Sequence, residues 1–194
     1  DKETAAMVMR MELGLDTGPI CLSRTVPISD VMTAGELHDE LATTGAAVMV
    51  EALAKLEVGS LDCRPQPEDG ITYAAKIQKA EARIQFDQPA EQVHNHVRGL
   101  SPFPGAWFEV ERNGKAERIK VLASELTQIG GTDSGAAPSE GQDRPGTVTS
   151  GECLSVQCNP GVVRFTQLQR AGKRPCPAHD LLCGFPLPAG ARLC

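Results

Sequence analysis

One carboxylate stands out by its position, Asp16 in the segment L-D-T-G-P. Glycine and proline enforce a loop there, between two short apolar runs that each suit a buried strand. Loop amides can fix such a carboxylate at the mouth of a cleft, where it can orient a proton acceptor. The alternative is an Asx-turn, in which the Asp side chain binds the backbone two residues on. The residues themselves leave both interpretations open.

Cations at two places could contact an anionic partner. Lys76, in T-Y-A-A-K, is a flexible point charge that could reach such a partner, although the residues by themselves favour an ordinary exposed lysine at a strand start. Arg170, Lys173 and Arg174 place three cations within five residues beside a glycine. That composition suits phosphate contact, and it also suits a solvated turn.

Two histidines and the sole tryptophan are further candidates, the histidines for a metal site and the tryptophan for contact with a nucleic-acid base. His94 and His96 lie on a predicted helix, where residues two apart point about 200° away from each other and cannot close on one ion. We therefore expect packing or surface roles for them and no metal. Trp107 could stack on a nucleic-acid base, but we favour a place in the core.

The elements around Asp16 follow from hydrophobic spacing. Residues 5–11 and 20–28 are nearly continuous apolar runs and predict strands on either side of the loop. Thr33 and Glu36 form a capping-box pattern, which predicts a helix that ends at Gly59. Strand, loop, strand and helix in this order are typical of the closing segment of an α/β domain.

The second half of the chain changes pattern. Residues 59–70 are rich in proline and glycine, and we place an interdomain linker at 59–77. Several short branched and aromatic runs within 78–194 predict a mostly-β barrel, interrupted by one amphipathic helix at 89–99. The Gly/Ser/Pro-rich segment 129–146 predicts a mobile barrel loop.

Composition and charge narrow the class of protein. Hydrophobic residues make up 41% of the 194 residues, enough for a packed core. Neither a run of roughly 18 apolar residues nor a signal peptide is present, so we expect a cytoplasmic protein without a membrane span. Residues 1–70 carry 13 acids and 5 bases, whereas residues 71–194 carry 12 acids and 14 bases. The second half therefore tolerates a polyanion better than the first.

The seven cysteines are an odd number and include no C-x-x-C pair. We therefore expect free thiols, with neither a disulfide framework nor a zinc site.

Five segments together resemble the methionyl-tRNA formyltransferase family, and they occur in that family's order. They are M-R-M-E-L-G-L-D-T-G-P-I, T-A-G-E-L-H-D-E-L, I-T-Y-A-A-K-I with E-A-R-I, R-G-L-S-P-F-P-G-A-W and L-Q-R-A-G-K-R-P. The resemblance covers nearly the whole chain except the Gly/Ser-rich loop. It implies that residues 1–58 are the end of a Rossmann-like formyltransferase domain and that 78–194 form a barrel similar to an OB-fold.

The resemblance also implies a reaction and its residues. The family transfers a formyl group from 10-formyltetrahydrofolate to the α-amino group of methionyl initiator tRNA, without a metal. Asp16 matches the family's catalytic aspartate, which would tune proton movement and hold a histidine. Lys76 matches a lysine close to bound tRNA, and Arg170, Lys173 and Arg174 fall on the barrel's basic surface. The loop backbone expected against the pterin ring belongs to Met11, Glu12, Leu13, Gly14 and Leu15.

One departure from the family is large. Its catalytic Asn and His lie in an N-x-H-x-S-L-L-P segment, which does not occur in these residues. We therefore expect the chain to be a truncated or processed piece that is inactive by itself, and the full-length protein to be a monomer. Two alternatives stay open. A formyltetrahydrofolate hydrolase would share the L-D-T-G and P-G-A-W segments, and a non-catalytic RNA-binding fragment would use the barrel and its cationic tail.

Overall fold

The computed structural model describes residues 1–112, 114–127 and 144–194. These divide into two compact units, Asp1–Lys76 and Ile77–Cys194. Within the described ranges, no helix has the length and apolar content needed to span a membrane.

The first unit consists of one hairpin and one helix. Strands β1 (Glu3–Met9) and β2 (Ile20–Pro27) pair antiparallel, and α1 (Ala34–Glu57) packs against both. Both predicted strands are confirmed, but the prediction that they are buried is wrong, because Val26 is the one fully buried side chain among the two strands. The physical reason is that a two-stranded sheet has two faces and this unit has a single helix to cover them.

The start of α1 follows the predicted capping box. Glu36 N donates to Thr33 Oγ1 at 3.3 Å, and Thr33 N donates to Glu36 Oε2 at 2.8 Å. The Thr33 hydroxyl also donates to Glu36 Oε2, at 2.9 Å, and the main-chain and hydroxyl hydrogen bonds that Thr33 donates to this carboxylate lower the pKa of Glu36. The buried residues of α1 are Val48 and Ala52.

A disulfide joins Cys21 of β2 to Cys63, so the prediction that all seven cysteines are free thiols is wrong. The two cysteines meet because Arg64, the residue after Cys63, pairs with Ile20, the residue before Cys21. The main chains of Ile20 and Arg64 exchange two hydrogen bonds of 2.8 Å each. No short spacing motif marks cysteines 42 residues apart. The other five cysteines are free, and burial raises the pKa of Cys158 to about 11.

The second unit is an antiparallel sheet with helices packed against it. Its strands are β3 (Ala106–Arg112), β4 (Lys115–Leu126), β5 (Val148–Ser150), β6 (Ser155–Gln157), β7 (Val162–Arg170) and β8 (Cys176–Pro177). The sheet order is β3-β4-β7-β6-β5, with β8 beside β7. Helices α2 (Ala90–Leu100) and α3 (Ala178–Gly184) complete the unit. The predicted short strands and the short helix are confirmed, and the second unit is a mixed α/β unit built on this sheet.

The core of the second unit lies between the sheet and α2. Phe108 and Phe165, both fully buried, stack with ring centroids 5.9 Å apart, and Val97 of α2 belongs to the same core. The predicted mobile loop at 129–146 lies outside the described residues except for its last three, which form a turn that ends at Gly146.

Candidate functional site

The loop that carries Asp16 connects β1 to β2 and is closed at its base. Arg10 N donates to the main-chain oxygen of Pro19 at 3.0 Å. Gly18 is required there, because a Cβ at this position would lie 1.7 Å from the main-chain oxygen of Arg10. Asp16 has a φ of 55°, a left-handed conformation that is uncommon for a residue with a side chain.

Asp16 is exposed and borders two cavities of the first unit. The larger is an open groove of about 950 Å³, which Asp16 lines together with Glu12, Leu15 and residues 65–74. The smaller, of about 280 Å³, brings together every residue predicted from the sequence to bind a cofactor. These residues are Met11, Glu12, Leu13, Gly14 and Leu15. The structure thus places the carboxylate and the predicted loop at one surface.

The chemical character of this surface is mixed. Met11, Leu13 and Leu15 are all strongly exposed, which is unusual for large apolar side chains and favours contact with an apolar or aromatic ligand face. Carboxylates on the groove come from Glu12, Asp16 and the 68–69 pair. Apolar side chains and carboxylates can together hold an uncharged heteroaromatic ring by one face and one edge.

Sequence reasoning missed one residue of the site, Gln66. Its side-chain Nε2 donates to the main-chain oxygens of Asp16 and Gly18, at 2.8 and 2.7 Å. A glutamine in the proline-rich segment P-Q-P carried no signal that it would reach a loop 50 residues earlier.

Lys76 is exposed at the end of the first unit, a few residues after the groove-lining residues 70–74. Its side chain is therefore accessible to solvent, and its contact with an anionic partner stays a prediction.

The predicted cationic cluster separates into two kinds of residue. Arg170, the last residue of β7, pairs with Glu117 at 2.6 Å and lies over the ring of Phe185 at 4.7 Å. Lys173 and Arg174 follow in an exposed turn, where Lys173 N donates to the main-chain oxygen of Arg170 at 3.0 Å. Arg170 is thus engaged in holding the second unit together, and the other two cations face solvent.

His94 of α2 is buried, whereas His96, which points to a different side of the helix, is half-buried. His94 Nδ1 lies 2.9 Å from Ser124 Oγ, and burial lowers the pKa of His96. Among the described residues, no group of three or more His, Cys, Asp or Glu side chains could hold a metal ion.

Trp107 is buried, as we favoured from the sequence, with 9% of its surface exposed. Two guanidinium groups cover its ring, that of Arg118 at 3.7 Å and that of Arg83 at 5.6 Å. A stacking role on a nucleic-acid base is therefore not favoured, because the ring faces are already occupied.

The chain therefore consists of an α/β segment that carries the exposed Asp16 loop and of a second unit built on an antiparallel sheet. Residues 76–186 match the family described as the formyl transferase C-terminal domain, and the chain belongs to the formyl transferase family.

Two relatives are similar over the whole chain, and both are named methionyl-tRNA formyltransferase. The protein from Sinorhizobium fredii is 54% identical over 194 residues, which is 100% of this chain and 58% of the relative. The protein from Rhizobium meliloti is 52% identical over 193 residues, again 100% of this chain and 58% of the relative. The resemblance inferred from sequence motifs is thereby confirmed, and the chain spans less than two thirds of either relative.

One solved structure is similar in fold. HypX from Aquifex aeolicus, crystallised in complex with tetrahydrofolic acid, has a TM-score of 0.65 and 19% identity. The likeness covers 94% of this chain and 30% of that one.

Proposed function

We propose that this chain is part of an enzyme that transfers a formyl group from 10-formyltetrahydrofolate to the α-amino group of methionyl initiator tRNA. The observation that carries the proposal is the L-D-T-G loop, with the Asp16 carboxylate and five consecutive loop residues at one pair of cavities. The relatives from Sinorhizobium fredii and Rhizobium meliloti, which are similar over the whole of this chain, carry the name of that activity.

Formyl transfer requires the uncharged α-amine of the methionyl group to reach the formyl carbon of 10-formyltetrahydrofolate. The amine nitrogen forms a bond to the formyl carbon, the bond from that carbon to N10 of the folate breaks, and the proton lost from the amine passes to N10. Asp16 is the group that orients a proton acceptor for this transfer, since a carboxylate fixed by its loop can hold an imidazole in one tautomer. That imidazole would come from the family's N-x-H-x-S-L-L-P segment, which does not occur in these residues.

The folate ring is proposed to lie on the loop from Met11 to Leu15. Main-chain amides and carbonyls of this loop offer donors and acceptors to the pterin edge, and the exposed apolar side chains offer a surface to the ring face. The fold likeness to HypX with bound tetrahydrofolic acid supports this choice of ligand only at the level of the fold.

The tRNA is proposed to be bound by Lys76 of the first unit and by Lys173 and Arg174 of the second, with Arg170 supporting the turn. Exposed lysine and arginine neutralise phosphates and release counterions, which makes such binding salt-dependent. The excess of bases over acids in residues 71–194 is consistent with this assignment.

We further propose that the sheet of the second unit closes into a barrel similar to an OB-fold. The chain end supports closure at both sheet edges. Glu109 of β3 exchanges two main-chain hydrogen bonds with Cys194, at 2.6 and 2.8 Å. At the opposite edge, Val148 of β5 exchanges bonds with Ala191 and Gly190, at 2.9 and 2.8 Å.

The exposed apolar side of the first unit is proposed to contact the rest of the enzyme. Leu53 and Leu56 of α1 are each 56% exposed, and Met7 of β1 is 56% exposed. Patches of this kind mark contact surfaces. Residues 1–58 would then complete a catalytic domain, with 59–77 as linker and 78–194 as the tRNA-binding domain of a monomeric cytoplasmic enzyme.

The proposal is tested with Asp16→Asn in the complete protein, assayed with 10-formyltetrahydrofolate and methionyl initiator tRNA. We expect a loss of about 100-fold or more in kcat, because the amide keeps the shape and removes the charge that orients the proton acceptor. Asp180→Asn, at an exposed position of α3, is the matched control. Unchanged turnover in Asp16→Asn would sink the proposal, and formate release without formylated tRNA would favour a hydrolase instead.

A further inference from the structure

We propose that Gln66 is a positioning residue that fixes the Asp16 loop in its working conformation, an inference that rests on the proposed function. Its Nε2 donates to the main-chain oxygens of Asp16 and Gly18, at 2.8 and 2.7 Å. These oxygens lie at the two ends of the D-T-G turn. One side-chain amide therefore spans the turn from outside.

The chemistry of the contact requires an NH2 group. Main-chain oxygens accept hydrogen bonds and do not donate, so the end of the Gln66 amide that faces both must be its nitrogen. That nitrogen carries two hydrogens, one for each carbonyl. Neither a methionine nor an ionised glutamate at this position could replace it, although both match glutamine in length.

The turn needs such a restraint because its backbone is strained. The left-handed region is unfavourable for a residue with a side chain, which stays there when its surroundings hold it, as they do for Asp16. The exposed carboxylate and the exposed side chains of the loop supply no packing that could do so. The bond from Arg10 to Pro19 closes the base of the loop, and Gln66 restrains its Asp16 end.

The segment that presents Gln66 is itself fixed to β2. Arg64 exchanges two main-chain hydrogen bonds with Ile20, and Cys63 is joined to Cys21 by the disulfide. Gln66 therefore lies two residues after Arg64, which is hydrogen-bonded to β2, and three residues after Cys63, which is covalently joined to β2. This makes Gln66 a fixed support for the loop, not a side chain that follows it.

Loss of the Gln66 contacts should change the kinetics for 10-formyltetrahydrofolate and not the binding of the tRNA. Releasing the turn displaces the loop backbone proposed to bind folate and the carboxylate proposed to orient the proton acceptor. It leaves the cations proposed to bind tRNA untouched. The KM for 10-formyltetrahydrofolate should rise and kcat should fall, while the KM for the tRNA stays unchanged.

The experiment uses the complete protein with Gln66→Met and Gln66→Glu. Gln66→Met should lose about 10- to 100-fold in kcat/KM for 10-formyltetrahydrofolate, the range expected when a reacting group shifts by about 1 Å. Gln66→Glu should lose more at neutral pH, because its charge faces two carbonyl oxygens. Its activity relative to the unchanged enzyme should recover in part as the pH falls, since a protonated carboxyl donates one hydrogen bond through its O–H and the two carbonyl oxygens raise the pKa of that carboxyl.

Gln88→Met, at an exposed position of the second unit, is the matched control. If Gln66→Met matches that control, or if it changes the KM of both substrates equally while lowering the melting temperature, Gln66 is a structural residue and the inference is wrong. Asp16→Asn, run beside these variants, separates the two proposals. Active Asp16→Asn defeats the proposed function, whereas inactive Asp16→Asn with unimpaired Gln66→Met defeats this inference alone.

Discussion

The guanidinium of Arg170 pairs with Glu117 at 2.6 Å, and its neighbours in the same cationic cluster, Lys173 and Arg174, lie in an exposed turn. Three residues that look equivalent in the sequence therefore have different surroundings. Arg170 is also stacked over Phe185 at 4.7 Å, so its charge is largely committed within the protein.

The first prediction is that these residues affect tRNA binding by different routes. Lys173→Glu combined with Arg174→Glu should weaken tRNA binding and reduce the slope of log affinity against log salt by about 2, because each lost phosphate contact removes close to one unit. Arg170→Ala should instead lower stability with little change in that slope. The measurement is tRNA affinity at several salt concentrations. A slope unchanged in the double variant would mean that the turn does not contact phosphate.

The second prediction concerns the disulfide between Cys21 and Cys63. Titration of thiols in the unfolded, unreduced chain should find the five free cysteines and not all seven. Cys21→Ser with Cys63→Ser should destabilise the first unit by about 2–4 kcal/mol, since the cross-link restricts the unfolded chain. Trp107 fluorescence, which reports on the second unit, should show an unchanged unfolding transition. Seven reactive thiols would contradict the pairing.

Sequence reasoning succeeds in this molecule where the signal lies within a few neighbouring residues. The turn around Asp16 and the start of α1 at Thr33 were predictable, because glycine, proline and a capping box act over a few residues. The disulfide and Gln66 were not, because each joins segments 42 or more residues apart through the fold. The burial of the strands was misjudged for a related reason, since apolar composition does not say which neighbour covers a face.

The third prediction is that Gly18→Ala disrupts the Asp16 loop. An added Cβ would lie 1.7 Å from the main-chain oxygen of Arg10, so the backbone must move. We expect a cost of about 1–3 kcal/mol and a marked loss of folate affinity in the complete protein. Gly99→Ala in α2 is the control, because a Cβ there meets nothing within 4 Å and alanine favours a helix. Equal folate affinity in both variants would show that this loop does not bind the ligand.

The fourth prediction is a pH dependence of stability that comes from His96. Burial lowers its pKa below the usual 6.5, while the contact with the Ala82 carbonyl opposes this more weakly. The folded state therefore binds fewer protons than the unfolded state just below that value, and stability must fall as the pH drops. Among the described residues, His96 Nε2 is a buried nitrogen without a hydrogen-bond partner, which makes charging it costlier.

His96→Gln removes the titrating group from α2 and should flatten the fall in stability between about pH 6.5 and pH 5. The measurement is urea unfolding of the 194-residue chain across that range, followed by Trp107, the sole tryptophan and a member of the same core. His179→Gln, at an exposed position of α3, is the control and should keep the slope of the unchanged chain. If His96→Gln and His179→Gln lose stability equally as the pH falls, the dependence arises from groups other than His96, because loss of the half-buried His96 imidazole should flatten the fall and loss of the exposed His179 should not.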